Sequence, residues 1–164
     1  MWRVLAIAVA LTLSGCAAVP YSSVSTSVDE FTGQVRRQTV LLCSRNFCTQ
    51  FINVSGPDGA DGSSTALIGY EGADWLFVEA IFLKVEGDKD YLTFRGRPER
   101  EVLYGGRVSE IMRVKVTNEL RQLMKRALGK VVVVRFEGKS VFIDRREAVG
   151  ANGQWAQFLA AEVF

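Results

Sequence analysis

Residues 75–86 read WLFVEAIFLKVE and form the strongest hydrophobic segment of the chain beyond its N-terminal region. Trp, Phe, Val, Ile and Leu dominate it, and these residue types favour a strand over a helix. The run predicts a central strand that is buried on both faces for much of its length. Glu79 stands inside it, and a buried carboxylate needs a charged or hydrogen-bonding partner. We expect Glu79 to pair with an arginine, and we keep it as a candidate functional acid.

The chain on both sides of this segment predicts further strands. Residues 107–116 alternate, with Val108, Met112, Val114 and Val116 on one face. Glu110 falls on that apolar face, so it too should find a partner. The remaining predicted strands lie within 28–54, at 91–95, and in a hairpin of 130–136 with 140–144. Residues 55–74 contain the turn-forming run GPDGADGSS and are predicted to be a mobile surface loop.

Two helices follow from the later sequence. Thr117 is the predicted N-cap of the first, which carries an apolar stripe and ends before Gly129. Its other face is basic, and Arg121, Lys125 and Arg126 are candidate contacts for anionic lipid or glycan. The second helix is predicted near the C-terminus from the helical spacing of Trp155, Phe158, Leu159 and Val163.

Strand runs followed by a late helix, a hairpin and a terminal helix indicate an α+β fold. We expect a mainly antiparallel sheet of six to eight strands with two helices packed on one face. A β-sandwich or a partial barrel with peripheral helices is the alternative.

The N-terminal region has the features of an export signal. Arg3 precedes an apolar run at 4–13, which is too short to span a bilayer because spanning takes about twenty residues. A charged start, a short apolar centre and small residues before a cleavage point are typical of secretory signals. The ending Leu13-Ser14-Gly15-Cys16 resembles the lipobox of bacterial lipoproteins.

The resemblance implies a lipid anchor. By it, residues 1–15 are removed as the signal, Cys16 receives a diacylglycerol thioether, and its new amino group is acylated. Several acyl chains give lasting attachment to the lipid bilayer. Ala17 stands where Asp would signal inner-membrane retention, which implies the periplasmic side of the outer membrane. Residues 16–27 are then the lipidated N-terminus and a flexible tether, and 28–164 are a single periplasmic domain.

Two further cysteines, Cys43 and Cys48, form an even pair in an oxidising compartment. Strand-like runs at 38–42 and 49–54 flank them, so a four-residue loop would place them opposite each other. We predict a disulfide that fixes this hairpin. A redox or metal-binding pair is the alternative, although redox motifs typically use Cys-x-x-Cys.

Composition limits the chemistry. The chain has no His, which removes the usual general base near neutral pH and the His-dependent catalytic triads. No Ser-x-x-Lys occurs, so Ser-Lys catalysis is closed as well. The cysteine pair alone supplies too few ligands for a zinc site built from His and Cys, and no cofactor motif occurs, so we expect no metal centre and no cofactor. Without Arg3, 19 basic residues face 18 acidic ones, and this balance argues against a nucleic-acid partner.

Three functions therefore compete. The leading hypothesis is a non-enzymatic envelope lipoprotein that binds an unknown envelope protein or supports an envelope assembly. The second is a module that binds lipid, glycan or peptide, with the Gly-rich loop and Trp75 as a lid. The third is a carboxylate-dependent enzyme that uses Glu79 with Glu110 or Asp74.

Overall fold

The computed structural model describes residues 24–39, 41–44, 47–56 and 62–161. The predicted signal, Cys16, Ala17, most of the predicted tether, residues 57–61 and Val163 lie outside the described residues. The strands are β1 Ser25–Val28, β2 Val35–Gln38, β3 Leu42–Ser44, β4 Phe47–Ser55, β5 Ser63–Gly72, β6 Val78–Val85, β7 Leu92–Arg95, β8 Glu99–Val102, β9 Val108–Lys115, β10 Val131–Gly138 and β11 Phe142–Ala148. The helices are α1 Asn118–Ala127 and α2 Gln154–Ala161, and a short 3₁₀ turn spans Tyr104–Gly106.

The described strands form two antiparallel sheets. The large sheet has the order β1-β2-β4-β5-β9-β8. β3 pairs with the start of β4, on the same edge of β4 that pairs with β2 further along. The small sheet has the order β11-β10-β6-β7. Neither order closes on itself, so both sheets are open in the part of the chain that the structure describes.

The small sheet is centred on the segment that decides the fold. β6 pairs with β10, where Ile81 lies opposite Phe136, Leu83 opposite Val134 and Val85 opposite Val132. All six side chains are buried, whereas Phe82 and Lys84 between them are only half-buried. One face of this sheet therefore lies in the core and the other lies towards solvent.

The core joins both sheets and both helices. The ring of Phe136 on β10 lies 6.3 Å from that of Phe47 on β4 and 6.1 Å from that of Tyr70 on β5. From α2, the rings of Trp155 and Phe158 lie 5.9 Å and 4.8 Å from Phe51 of the large sheet. The predicted apolar stripe of α1 is buried in the same cluster. Burial of this continuous apolar surface is the main stabilising term of the fold.

The α+β prediction is confirmed, with a mainly antiparallel strand content and two helices. The expected single sheet of six to eight strands is wrong, because the described residues contain eleven strands in two sheets. The helices also do not cover one face of one sheet. α1 contacts α2 and β6 of the small sheet, and α2 packs on β4 of the large sheet.

Several element boundaries differ from the sequence predictions. The predicted loop at 55–74 contains β5, which pairs with β4 on one side and β9 on the other. Ser25–Ser27, assigned to the tether, belong to edge strand β1. The strand expected to end at Asp144 continues to Ala148 because β10 pairs with it along that length. No helix in the described ranges is long and apolar enough to cross a membrane.

Candidate functional site

Glu110 of β9 organises one end of the molecule. Its side chain is fully buried, and its carboxylate accepts hydrogen bonds from four donors. Oε1 accepts from the backbone N–H groups of Leu76 at 2.7 Å and Phe77 at 2.9 Å. Oε2 accepts from the N–H of Val78 at 2.9 Å and from Nε of Arg100 at 3.0 Å. A carboxylate offers about four acceptor positions, so this one is saturated.

The carboxylate holds the chain in an unusual backbone conformation. Phe77 has a φ of 55°, and no other described residue except glycine has a positive φ. For a bulky L-residue this region costs about 1–2 kcal/mol, so the surrounding contacts must fix it. The three N–H bonds to Glu110 span this residue and its two neighbours, which explains why the chain turns here into β6.

This turn displays an aromatic surface, which we define as Trp75, Phe77 and Arg100. Phe77 is 50% exposed although it lies between two buried residues, Leu76 and Val78. The ring centroids of Trp75 and Phe77 lie 6.4 Å apart, and the guanidinium carbon of Arg100 lies 5.4 Å from the Phe77 ring. Arg100 thus forms an ion pair with Glu110 and a cation–π contact with Phe77.

A close backbone contact supports the turn from the small sheet. The carbonyl oxygen of Leu76 lies against Gly138, at the end of β10, where a Cβ would collide with it. Gly138 in turn donates its N–H to the carbonyl of Val141 at 2.8 Å. The position therefore requires glycine because two backbones approach each other closely.

The carboxylate pair that the sequence suggested, Glu79 with Glu110 or Asp74, is not formed. Glu79 is exposed rather than buried, because a register shift opposite Gly138 turns its side chain away from the core. Glu110 does have the predicted partner, but its acceptor positions are all used by Arg100 and the backbone. Asp74 is exposed. Burial raises the pKa of Tyr70 above the ordinary 10.0, and the charge of Asp74 raises that pKa further.

Cys43 and Cys48 lie where the spacing predicts. They are direct cross-strand partners of β3 and β4, with Cα atoms 4.0 Å apart and sulfur atoms at disulfide distance. Cys43 is exposed and Cys48 is fully buried. Oε2 of Glu71, at the end of β5, lies 3.6 Å from Sγ of Cys48.

The basic face of α1 is present as predicted. Lys125 and Arg126 are exposed and Arg121 is half-buried. Nε of Arg126 lies 3.3 Å from Oδ2 of Asp88. The predicted cap is also present, because the Thr117 hydroxyl accepts from the N–H of Leu120 at 3.3 Å. Contact of this face with lipid or glycan stays a prediction.

A groove of about 560 Å³ lies on the solvent face of the small sheet. Its lining mixes aromatic and charged side chains, including Phe82, Tyr91, Lys84 and Arg135. Arg135 makes a two-pronged ion pair with Asp144, at 2.7 Å and 2.8 Å. Trp75 does not line this groove, so the expected lid arrangement does not describe it.

Trp75 and the buried environment of Glu110 were predictable from the sequence, whereas Phe77, Arg100 and Glu71 were not. Phe77 lies inside an apolar run, and nothing in that run predicts a positive φ. Arg100 stands in the basic connector RGRPER, whose contact with Glu110 arises only when β8 pairs with β9. Glu71 lay in the segment predicted to be a loop.

Comparison with family models, with curated proteins and with solved structures gives no match.

Proposed function

We propose that this protein is a non-enzymatic envelope lipoprotein that is anchored by Cys16 at the periplasmic side of the outer membrane and binds a protein partner. The partner is recognised by the aromatic surface. The lipobox resemblance supports the anchor. The single observation that carries the binding role is the exposed Phe77, held at positive φ by a saturated buried carboxylate.

The backbone conformation of Phe77 suits a binding role better than a purely structural one. A structural turn would place glycine at a positive φ, since glycine adopts it without steric cost. Here a large aromatic side chain occupies the position and remains half exposed beside Trp75 and Arg100. Backbone strain of this kind concentrates at binding sites. Aromatic residues and arginine are also the residue types that dominate binding energy at protein interfaces.

Site-specific photocrosslinking in intact cells tests the proposal. A photoreactive phenylalanine analogue replaces Phe77, and a matched control replaces Tyr91, which is 59% exposed and packs its ring on Phe82 as Phe77 packs on Trp75. We expect a discrete crosslinked protein from the Phe77 position and little from the Tyr91 position. Equal crosslinking from both positions, or none from Phe77, contradicts the proposal.

The anchor is tested separately. Radiolabelled palmitate should enter the wild-type chain and should not enter Cys16→Ala, which should be released from the membrane with an unchanged circular dichroism spectrum. Label in the variant, or a wild-type chain with a free thiol at residue 16, contradicts the lipoprotein assignment.

A second candidate function is the binding of a polar ligand such as a glycan. The groove on the small sheet supports it, because its volume lies within the range of ligand sites, about 300–1,000 Å³. Binding on a glycan array that disappears in Tyr91→Ala and persists in Phe77→Ala would favour this candidate. Binding that neither variant changes would argue against the groove.

A further inference from the structure

Three side chains from three strands converge next to the hairpin of the cysteine pair. Sγ of Cys43 on β3, Sγ of Cys48 on β4 and a carboxylate oxygen of Glu71 on β5 all lie within 4.8 Å of one another. The cysteines are separated by four residues, a spacing that also occurs between zinc ligands. The carboxylate is the feature that a purely structural disulfide does not need.

The separations match a metal site with little adjustment. In a tetrahedral zinc site, Zn–S bonds of about 2.3 Å and Zn–O bonds of about 2.1 Å place sulfur and oxygen ligands about 3.6 Å apart. The observed distance between Sγ of Cys48 and Oε2 of Glu71 is 3.6 Å. The two sulfur atoms would need to separate to about 3.8 Å, and only breaking their bond permits that movement.

We propose that reduction of the Cys43–Cys48 disulfide creates a zinc-binding site formed by both thiolates and Glu71. A dithiol reductant supplies two electrons and two protons, becomes a disulfide itself and leaves two thiols. Zn²⁺ then binds, and both thiols lose their protons to the solvent and coordinate the metal as thiolates. Three protein ligands leave the fourth position open for water. The oxidised protein lacks the site because its sulfurs are bonded to each other.

The surroundings of the three ligands support this assignment. Cys43 is exposed, so a reductant and the metal reach the bond from that side, whereas Cys48 is buried. Oε1 of Glu71 pairs with Nη1 of Arg107 at 2.9 Å, and Oε2 lies 3.6 Å from Sγ of Cys48. Such an outer partner orients a carboxylate ligand and contributes to metal affinity.

Cobalt titration of the full chain carrying Cys16→Ala tests the proposal, since this variant keeps only the two cysteines in question. The protein is reduced with a phosphine, which does not compete strongly for the metal, and is titrated with Co²⁺ under nitrogen. Bound thiolates give a ligand-to-metal charge-transfer absorption that carboxylates and water do not give. The oxidised protein, Glu71→Gln and Glu79→Gln are titrated in parallel, and the last is the control because Glu79 is an exposed carboxylate elsewhere.

We expect one equivalent of Co²⁺ with thiolate absorption in the reduced protein and none in the oxidised protein. Glu71→Gln should weaken binding about tenfold or more, while Glu79→Gln should bind as the parent does. Zn²⁺ should displace the cobalt and bleach the absorption. Absence of thiolate absorption after reduction overturns the proposal. So does equal affinity of Glu71→Gln and the parent, including the case in which reduction unfolds the chain and free cysteines bind the metal.

Discussion

The Glu110→Gln variant tests how much the buried carboxylate contributes to the fold. Glutamine keeps one oxygen and replaces the other by an amide NH₂ group. If the oxygen stays with Leu76 and Phe77, the NH₂ group faces two donors, the N–H of Val78 and Nε of Arg100. Val78 is buried, and an unmade hydrogen bond there costs about 1–3 kcal/mol. Arg100 is 41% exposed and turns into water, so losing its pair costs below about 1 kcal/mol.

Together these losses predict a decrease of about 1–4 kcal/mol in the free energy of unfolding. For a domain of this size the melting temperature should fall by about 2–4 °C for each kcal/mol lost. Urea unfolding followed by circular dichroism measures the change. The slope of the free energy of unfolding against urea concentration should be the same in parent and variant, which shows that the mutation has changed stability alone. The control is Glu79→Gln, which should stay within about 0.5 kcal/mol of the parent because Glu79 is exposed. Equal stability of the two variants would refute the role assigned to Glu110.

Three further changes test other parts of the structure. Gly138→Ala should lower the free energy of unfolding measured in urea by about 2 kcal/mol or more, because the added Cβ would collide with the Leu76 carbonyl. Gly96→Ala is the control and should be nearly neutral, because the nearest atom to its added Cβ is 3.7 Å away. Thr117→Ala should cost about 1 kcal/mol in the same assay, since it removes the cap of α1. The hydrogen-bonded Arg135 guanidinium holds the pKa of Asp144 below its ordinary 3.8, so the stability from this pair is present at neutral pH and is lost as the pH falls below about 4. Asp144→Asn should therefore show a shallower loss of stability in acid than the parent, and identical pH profiles would contradict this.

The sequence was most informative where periodicity reports on burial. The alternation of residues 107–116 predicted the buried face of β9 and the need of Glu110 for a partner, and the apolar stripe and Thr117 predicted α1. Hydrophobic alternation predicts these elements because each buries one face. The cross-strand position of Cys43 and Cys48 followed from their spacing together with the strand-like runs on both sides of them.

The sequence was least informative where tertiary contacts override local pattern. Residues 63–72 follow a run of turn residues and contain two glycines, so they did not resemble a strand. In the structure β4 and β9 pair with them on both sides, and Gly69 allows the close approach of β9. Phe77 and Glu79 were assigned to a buried strand because the apolar run is continuous, but Glu110, 33 and 31 residues further along the chain, sets where β6 begins. No window of local sequence contains that contact.

The most direct test of the binding role is partner recovery with Phe77→Gly. Glycine adopts the positive φ without strain, so this variant should keep its stability within about 1 kcal/mol of the parent while losing the exposed ring. Affinity-tagged parent and variant are purified from crosslinked membranes at equal amounts of folded protein, and the recovered partner is quantified. We expect at least about a tenfold loss of partner, as for an aromatic residue central to an interface. Recovery equal to that of the parent would contradict the claim that this end of the molecule is a recognition surface.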